Sequence, residues 1–133
     1  MTEVTSSYIP GVCNINTAET NQRRKAGYVG LGLFVVLLVV MLALPIDTAY
    51  RLVLILPAMI SAIGFLQARN HFCVGYANAG MQNADEDSTD PLTIALAEAV
   101  TKDKKRARQM YLQALIIAIV AGGVTLLIPS FNY

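Results

Sequence analysis

Cys13, His71 and Cys73 are the side chains whose types are suited to chemistry in this chain. A thiolate is a nucleophile, a redox centre and a soft metal ligand, and neutral imidazole is the commonest metal ligand. Their number and spacing limit them. His71 and Cys73 stand at i and i+2, which puts them on different faces of a helix. With Cys13 they make three ligands, one short of a closed structural zinc site. A single histidine excludes bis-histidine haem ligation within the chain, and no serine has the setting for a triad built on His71. The chain also lacks a P-loop, a dinucleotide fingerprint, a Gly-x-Ser-x-Gly elbow and a His-Glu-x-x-His pair. We therefore expect no enzymatic activity and no cofactor. Three roles stay open for the thiols: small packing residues, a redox-sensing pair, and part of a metal site completed by a partner subunit. A disulfide is disfavoured on the reducing side of a membrane.

The acidic run Asp85, Glu86, Asp87 and Asp90 raises the question of a hard cation. It lacks the glycine at the sixth position and the glutamate at the twelfth that an EF-hand loop needs. These carboxylates are expected to be solvated, or to face the basic run Lys102 to Arg108.

The elements that carry these residues follow from composition. Of 133 residues, 55% are hydrophobic and 14% charged, against about 25% charged in a soluble domain. Such hydrophobicity excludes disorder, two cysteines are too few for a disulfide scaffold, and a net charge of +1 argues against a nucleic-acid partner. Three segments approach the roughly 20 apolar residues that cross a bilayer. We expect an all-α integral membrane protein with three transmembrane helices and a helical cytoplasmic cap, as one membrane domain over 1–133. The first span covers 26–46 and ends at Pro45–Ile46. The second covers 49–66 and contains Pro57, with Arg51 near its start snorkelling to the headgroups. The third covers 110–129. The short link Pro45 to Thr48 makes the first two an antiparallel hairpin. No apolar h-region occurs in the first 25 residues, so the first span is expected to act as an uncleaved signal anchor.

Arg23, Arg24, Lys25, Arg69, Lys102, Lys104, Lys105, Arg106 and Arg108 fall on one side of these spans, and Arg51 alone on the other. The positive-inside rule then puts residues 1–25 and 80–109 in the cytoplasm and the tail 130–133 outside, with Phe131 and Tyr133 as an interfacial anchor. The expected location is the bacterial inner membrane. Arg23, Arg24, Lys25, Lys104, Lys105, Arg106 and Arg108 are candidate lipid-headgroup contacts.

On the cytoplasmic side, Asn16 and Glu19 read as the two ends of a capping box that starts a helix running into the first span. Phe65, Leu66, Arg69, Phe72, Cys73 and Tyr76 form one helical stripe, so the second helix is expected to run on to about residue 79 and stop at Gly80. Asp90-Pro91 reads as N-cap and N1 of another helix, with Leu92, Ala95, Leu96, Ala99 and Val100 as its apolar face. That helix either lies on the membrane surface or continues into the third span. Small residues mark packing faces or partner contacts: Gly27, Gly30 and Gly32 in the first span, Ala58, Ala62 and Gly64 in the second, Ala118, Ala121, Gly122 and Gly123 in the third.

Cys13-Asn14-Ile15, Glu19 and Arg23-Arg24 ahead of a hairpin, then Gly64-Phe65-Leu66-Gln67-Ala68-Arg69 and Cys73, resemble a family of small uncharacterised bacterial membrane proteins. The resemblance covers most of the chain. It implies the three-span layout and a role for the two cysteines beyond filling space, and it carries no function.

No span holds Asp, Glu, Lys, Arg or His in its interior, which argues against a pump or proton-coupled transporter. The leading expectation is a non-catalytic accessory or assembly subunit of a larger inner-membrane complex, or a homo-oligomer, packed through its transmembrane helices. The alternative is a cytoplasm-facing thiol- or metal-responsive membrane sensor using Cys13, Cys73 and His71. A homo-oligomeric pore is the third.

Overall fold

The computed structural model describes residues 8–129; the expected anchor at Phe131 and Tyr133 lies outside them. Helix α1 spans Thr17–Ala43. Asn16 starts it in extended conformation, its Oδ1 accepting from the Glu19 amide at 2.9 Å. The reciprocal half of the capping box is not made. The Asn16 amide donates instead to Asn83 O at 2.8 Å, which frees Glu19 for other partners. The helix ends where Pro45 forces Leu44 into extended backbone.

A 3-10 segment, Thr48–Leu54, leads without a break into α2, Ile55–Asn70. Pro57 falls in the first turn of α2, where its missing N–H costs little. It lies inside the apolar segment Thr48–Asn70, just past the change from 3-10 to α-helix.

Helix α2 stops at Asn70, not near residue 79. His71 adopts left-handed backbone, φ 52° and ψ 47°. Its amide donates to Ala68 O at 3.4 Å and the Phe72 amide to Gln67 O at 3.0 Å, the bond pair of a Schellman C-cap. The chain restarts as α3, Val74–Ala79, with Cys73 as its N-cap and Gly80 (φ 72°) as its stop. Phe65, Leu66, Arg69, Phe72, Cys73 and Tyr76 therefore do not share one helix.

Strand β1, Met81–Gln82, pairs antiparallel with β2, Leu92–Thr93. This small ladder overrides the Asp90-Pro91 helix start: the Ile94 amide donates to Gly80 O at 2.8 Å, and residues 92–94 stay extended or irregular. Helix α4 begins at Ala97 and runs unbroken through the basic run to Thr125. The cytoplasmic helix and third span expected from the sequence are thus one element from residue 97 onward. Thr101 does not cap a new helix; its hydroxyl bonds back to Ala97 O at 3.0 Å.

Three helical segments, Thr17–Ala43, Thr48–Asn70 and Ala97–Thr125, are long and apolar enough to cross a membrane. α2 packs on both α1 and α4. Glycines set the first approach. A Cβ on Gly30 would stand 2.5 Å from the Ser61 backbone N, and one on Gly64 2.6 Å from the Gly27 N. The second approach rests on a stripe of α4 at helical spacing, Ala99, Asp103, Ala107, Met110, Ala114, Ala118, Gly122 and Thr125, every member buried. At one end of the helices Phe72, Val74, Ala77, Ala107 and Met110 form a small core backed by Ile63 and Leu66. At the other end Arg51 is 1% exposed. Rather than snorkelling, its Nη1 donates to Thr125 O at 2.7 Å and Ile128 O at 2.6 Å. A cation there meets the negative end of the α4 dipole and satisfies carbonyls left free by the helix terminus.

The glycine geometry makes a prediction. Gly30→Leu has to push α1 off the α2 backbone and should cost about 1–3 kcal/mol or more. At Gly32 a Cβ meets nothing within 4 Å, so Gly32→Leu should change stability by about 0.5 kcal/mol at most. Unfolding of the detergent-solubilised variants with SDS, followed by circular dichroism, checks both; equal losses would contradict the crossing.

Candidate functional site

The residues singled out for chemistry meet at the end of the helices where α2 breaks. The break leaves the Cys73 amide outside any helix ladder, while Cys73 O accepts from the Ala77 amide at 3.1 Å. Asn14, fully buried, engages both groups: its Oδ1 accepts from the Cys73 amide at 2.6 Å and its Nδ2 donates to Cys73 O at 3.0 Å. The Asn14 amide donates to His71 O at 3.1 Å, and Asn14 O accepts from the Asn83 amide at 2.7 Å. Residues 14–16 thus form a strand-like stitch between the α2–α3 turn and the loop that follows β1, with Ile15 bridged in parallel to Asn83.

Ahead of the stitch, Pro10 and Gly11 make a tight turn. The Val12 amide donates to Ile9 O at 2.9 Å, and Gly11 has the φ of 73° that the third position of a type II turn needs. The turn aims the Gly11 amide at Asp103 Oδ1 and the Tyr8 hydroxyl at Asp103 Oδ2, both at 2.7 Å. Asp103 is fully buried on the α4 stripe. Burial, then the bond to Asp103 and its charge, push the Tyr8 phenol well above its ordinary range.

A charged cluster covers Cys73. Its Sγ accepts from Arg23 Nη2 at 3.1 Å and from the Tyr76 amide at 3.5 Å. Arg23 Nη1 pairs with Glu19 Oε1 at 3.3 Å, and the guanidinium lies 5.6 Å from the Tyr76 ring centroid. The Tyr76 hydroxyl donates to Glu19 Oε2, which also accepts from Asn83 Nδ2 at 3.1 Å. Burial and the Glu19 carboxylate push the Tyr76 phenol up. Arg23, expected at the headgroups, is thus turned inward, while Arg24, Lys25, Lys104, Lys105 and Arg108 are exposed and Arg106 is half-buried.

Cys13 and Cys73 are free thiols. Burial, joined by the nearby Glu86 carboxylate, pushes the Cys13 thiol up against a smaller opposing bond to Ile15 O. A protonated, half-buried thiol is a poor nucleophile. His71 faces Thr20, Nδ1 to Oγ1 at 3.2 Å. Thr20 donates its O–H to Asn16 O at 2.8 Å, so Nδ1 is the donor to Thr20. Among the described residues no three His, Cys, Asp or Glu side chains gather to hold a metal ion. In this geometry Cys73 caps α3, His71 caps α2, and Cys13 precedes the stitch.

The acidic loop is partly engaged, though not by the basic run. Glu86 accepts from the Thr17 amide and hydroxyl at 3.1 Å and 3.0 Å, so a carboxylate sits on the positive end of α1. Asn16 Nδ2 donates to Asp85 O at 2.9 Å and Ser88 O at 3.0 Å. Of the small residues, Gly27, Gly30, Ala58, Ala62, Gly64, Ala118 and Gly122 are buried within the chain and Ala121 half-buried, whereas a Cβ on Gly32 or Gly123 meets nothing within 4 Å.

Sequence reasoning overlooked Asn14, Asn83, Asp103 and Tyr8. Asp103 had a signal: it falls at i+4 from Ala99 and i−4 from Ala107, inside an apolar stripe. Asn14 had none, because its partners lie 59 residues away and are main-chain atoms.

Comparison with family models, curated proteins and solved structures finds no match for this chain.

The left-handed cap at His71 yields a prediction opposite to that of a metal site. His71→Gly should keep the fold, since glycine adopts this backbone freely. His71→Val should cost about 1–3 kcal/mol. The same SDS unfolding assay separates them, and a His71→Gly variant as damaged as His71→Val would show that the imidazole itself is what matters.

Proposed function

We propose that this chain is an integral protein of the bacterial inner membrane, spanning it three times, and that it serves as a non-catalytic accessory or assembly subunit of a larger membrane complex. The N-terminus and the stitched end are cytoplasmic and the residue 44–48 link is outside, because nine of the ten basic residues lie at or near the stitched end.

One observation carries the subunit reading. Most small residues in the spans are consumed by the chain's own packing, yet Gly32 on α1 and Gly123 on α4 face open space. Gly32 lies two residues from Gly30, on the side of α1 turned away from α2. Around it Leu31, Leu33, Val35 and Val36 are exposed. In a bilayer, apolar exposure alone is no drive to associate, since lipid tails are as apolar as leucine; close backbone approach at small residues is what brings helices together. Gly32 and Gly123 offer that approach to a helix from outside the chain. The polar residues support the same reading, because Asn14, Glu19, Arg23, Tyr76 and Asp103 are taken up in holding the fold.

Native electrophoresis of gently solubilised membranes tests it. The wild-type chain should migrate far above its 14.4 kDa with a defined set of co-migrating proteins, and Gly32→Leu or Gly123→Leu should release it without changing its unfolding. Wild-type migration as a monomer, with every membrane complex unaltered when the chain is deleted, would overturn the proposal.

A further inference from the structure

α1 and α4 both pack on α2 and leave a groove between them. Leu31 and Phe34 of α1, Ala62 and Phe65 of α2 and Ile117 and Ala121 of α4 line it, and its volume is about 400 Å³, within the range of ligand clefts. Its surface is almost wholly apolar until Arg69. There it opens, through the shared residues Leu66, Arg69 and Ile117, into a second hollow of about 470 Å³ whose polar walls are Arg69, Asn70, Arg106 and Gln113. Among the described residues no acid lines either part.

The two arginines differ in how they are held. Arg69 is exposed on the last turn of α2. Arg106 is half-buried and oriented by Asn70, its Nη2 donating to Asn70 Oδ1 at 2.8 Å, while its Nε is buried with no hydrogen-bond partner. A guanidinium held in place by Asn70, with Arg69 lining the same hollow and no acid beside it, is suited to a phosphate, which arginine binds bidentately. The shape that continues from it is an apolar channel directed along the spans. One molecule has both parts in that order: a phospholipid with an anionic headgroup.

We propose that this groove is a specific site for one anionic phospholipid, with its phosphate between Arg69 and Arg106 and an acyl chain lying between α1 and α4 against Phe34, Phe65 and Ile117. Basic hollows between helices on the cytoplasmic side are suited to such headgroups, and Arg69 stands one helical turn beyond Leu66, at the edge of the apolar stretch. The site rests on the membrane reading above and differs from general headgroup attraction at the exposed Lys104, Lys105 and Arg108, which have no groove beneath them in these two hollows.

Native mass spectrometry of the purified full chain in a neutral detergent, titrated with phosphatidylglycerol or phosphatidylcholine, tests the site. One phosphatidylglycerol should be retained about tenfold or more in preference to phosphatidylcholine. Arg69→Gln and Arg106→Gln should each remove that preference. Ile117→Trp should block retention by filling the channel while leaving both arginines in place, and a Lys104→Gln/Lys105→Gln variant should bind as wild type. Equal retention of the two lipids, or undiminished retention by the arginine and Ile117 variants, would overturn the site. So would displacement of the lipid by inorganic phosphate alone, since a bare anion site needs no channel. Flotation of the chain with vesicles under alkaline extraction is measured in parallel. A chain that inserts without lipid preference refutes the site alone, and a chain that fails to insert refutes the membrane reading with it.

Discussion

The structure depends on how one buried amide repairs one broken helix. α2 ends at Asn70 and α3 begins at Val74, so the Cys73 amide belongs to no helix ladder, while its carbonyl starts the α3 ladder by accepting from the Ala77 amide at 3.1 Å. Buried without a partner, that amide would cost about 1–3 kcal/mol. Only a carboxamide carries a donor and an acceptor side by side, and Asn14 supplies both to the same residue, at 3.0 Å and 2.6 Å. That contact fixes where the N-terminal stitch lies, the stitch fixes Asn16, and Asn16 starts α1. The register of α1 on α2, and hence the meeting of Gly27 and Gly30 with Ser61 and Gly64, follows from that starting point.

The opposite end is fastened by a different device for the same reason. α4 finishes with free carbonyls, and the Arg51 guanidinium, brought there by the turn after α1, meets two of them. Between these ends the helices hold by close approach, through glycine on the α1 side and alanine on the α4 side. The chain therefore uses its polar chemistry at its ends, and its mid-length surfaces carry the close-approach glycines and the apolar groove.

The three long apolar helices were legible in the sequence, because an 18-residue apolar window is a strong signal. So were the Asn16 cap and the stop at Gly80. The break after Asn70 was hidden by a coincidence of spacing: Phe65, Leu66, Arg69, Phe72, Cys73 and Tyr76 keep a helical period across a Schellman turn, and the left-handed residue there is histidine rather than glycine. The Asp90-Pro91 start failed because a two-residue ladder with Met81–Gln82 outranks a local capping preference. Cys13, His71 and Cys73 do lie at the end where α2 breaks, with His71 and Cys73 as helix caps. The short Cys-Asn-Ile motif matters through its asparagine, whose partners are backbone atoms and leave no trace in composition.

Hydrogen exchange on Asn14→Ala, set beside a Cys13→Ala/Cys73→Ala double variant, tests this account most directly. Asn14→Ala should speed exchange across residues 71–79 and 14–20 together, because one contact holds both, while leaving amides near Leu37 and Ile119 as slow as in wild type. The double cysteine variant should leave the 14–20 segment protected. If Asn14→Ala exchanges like wild type, or if the cysteine variant alone opens this end of the molecule, the amide is not the contact on which the fold depends.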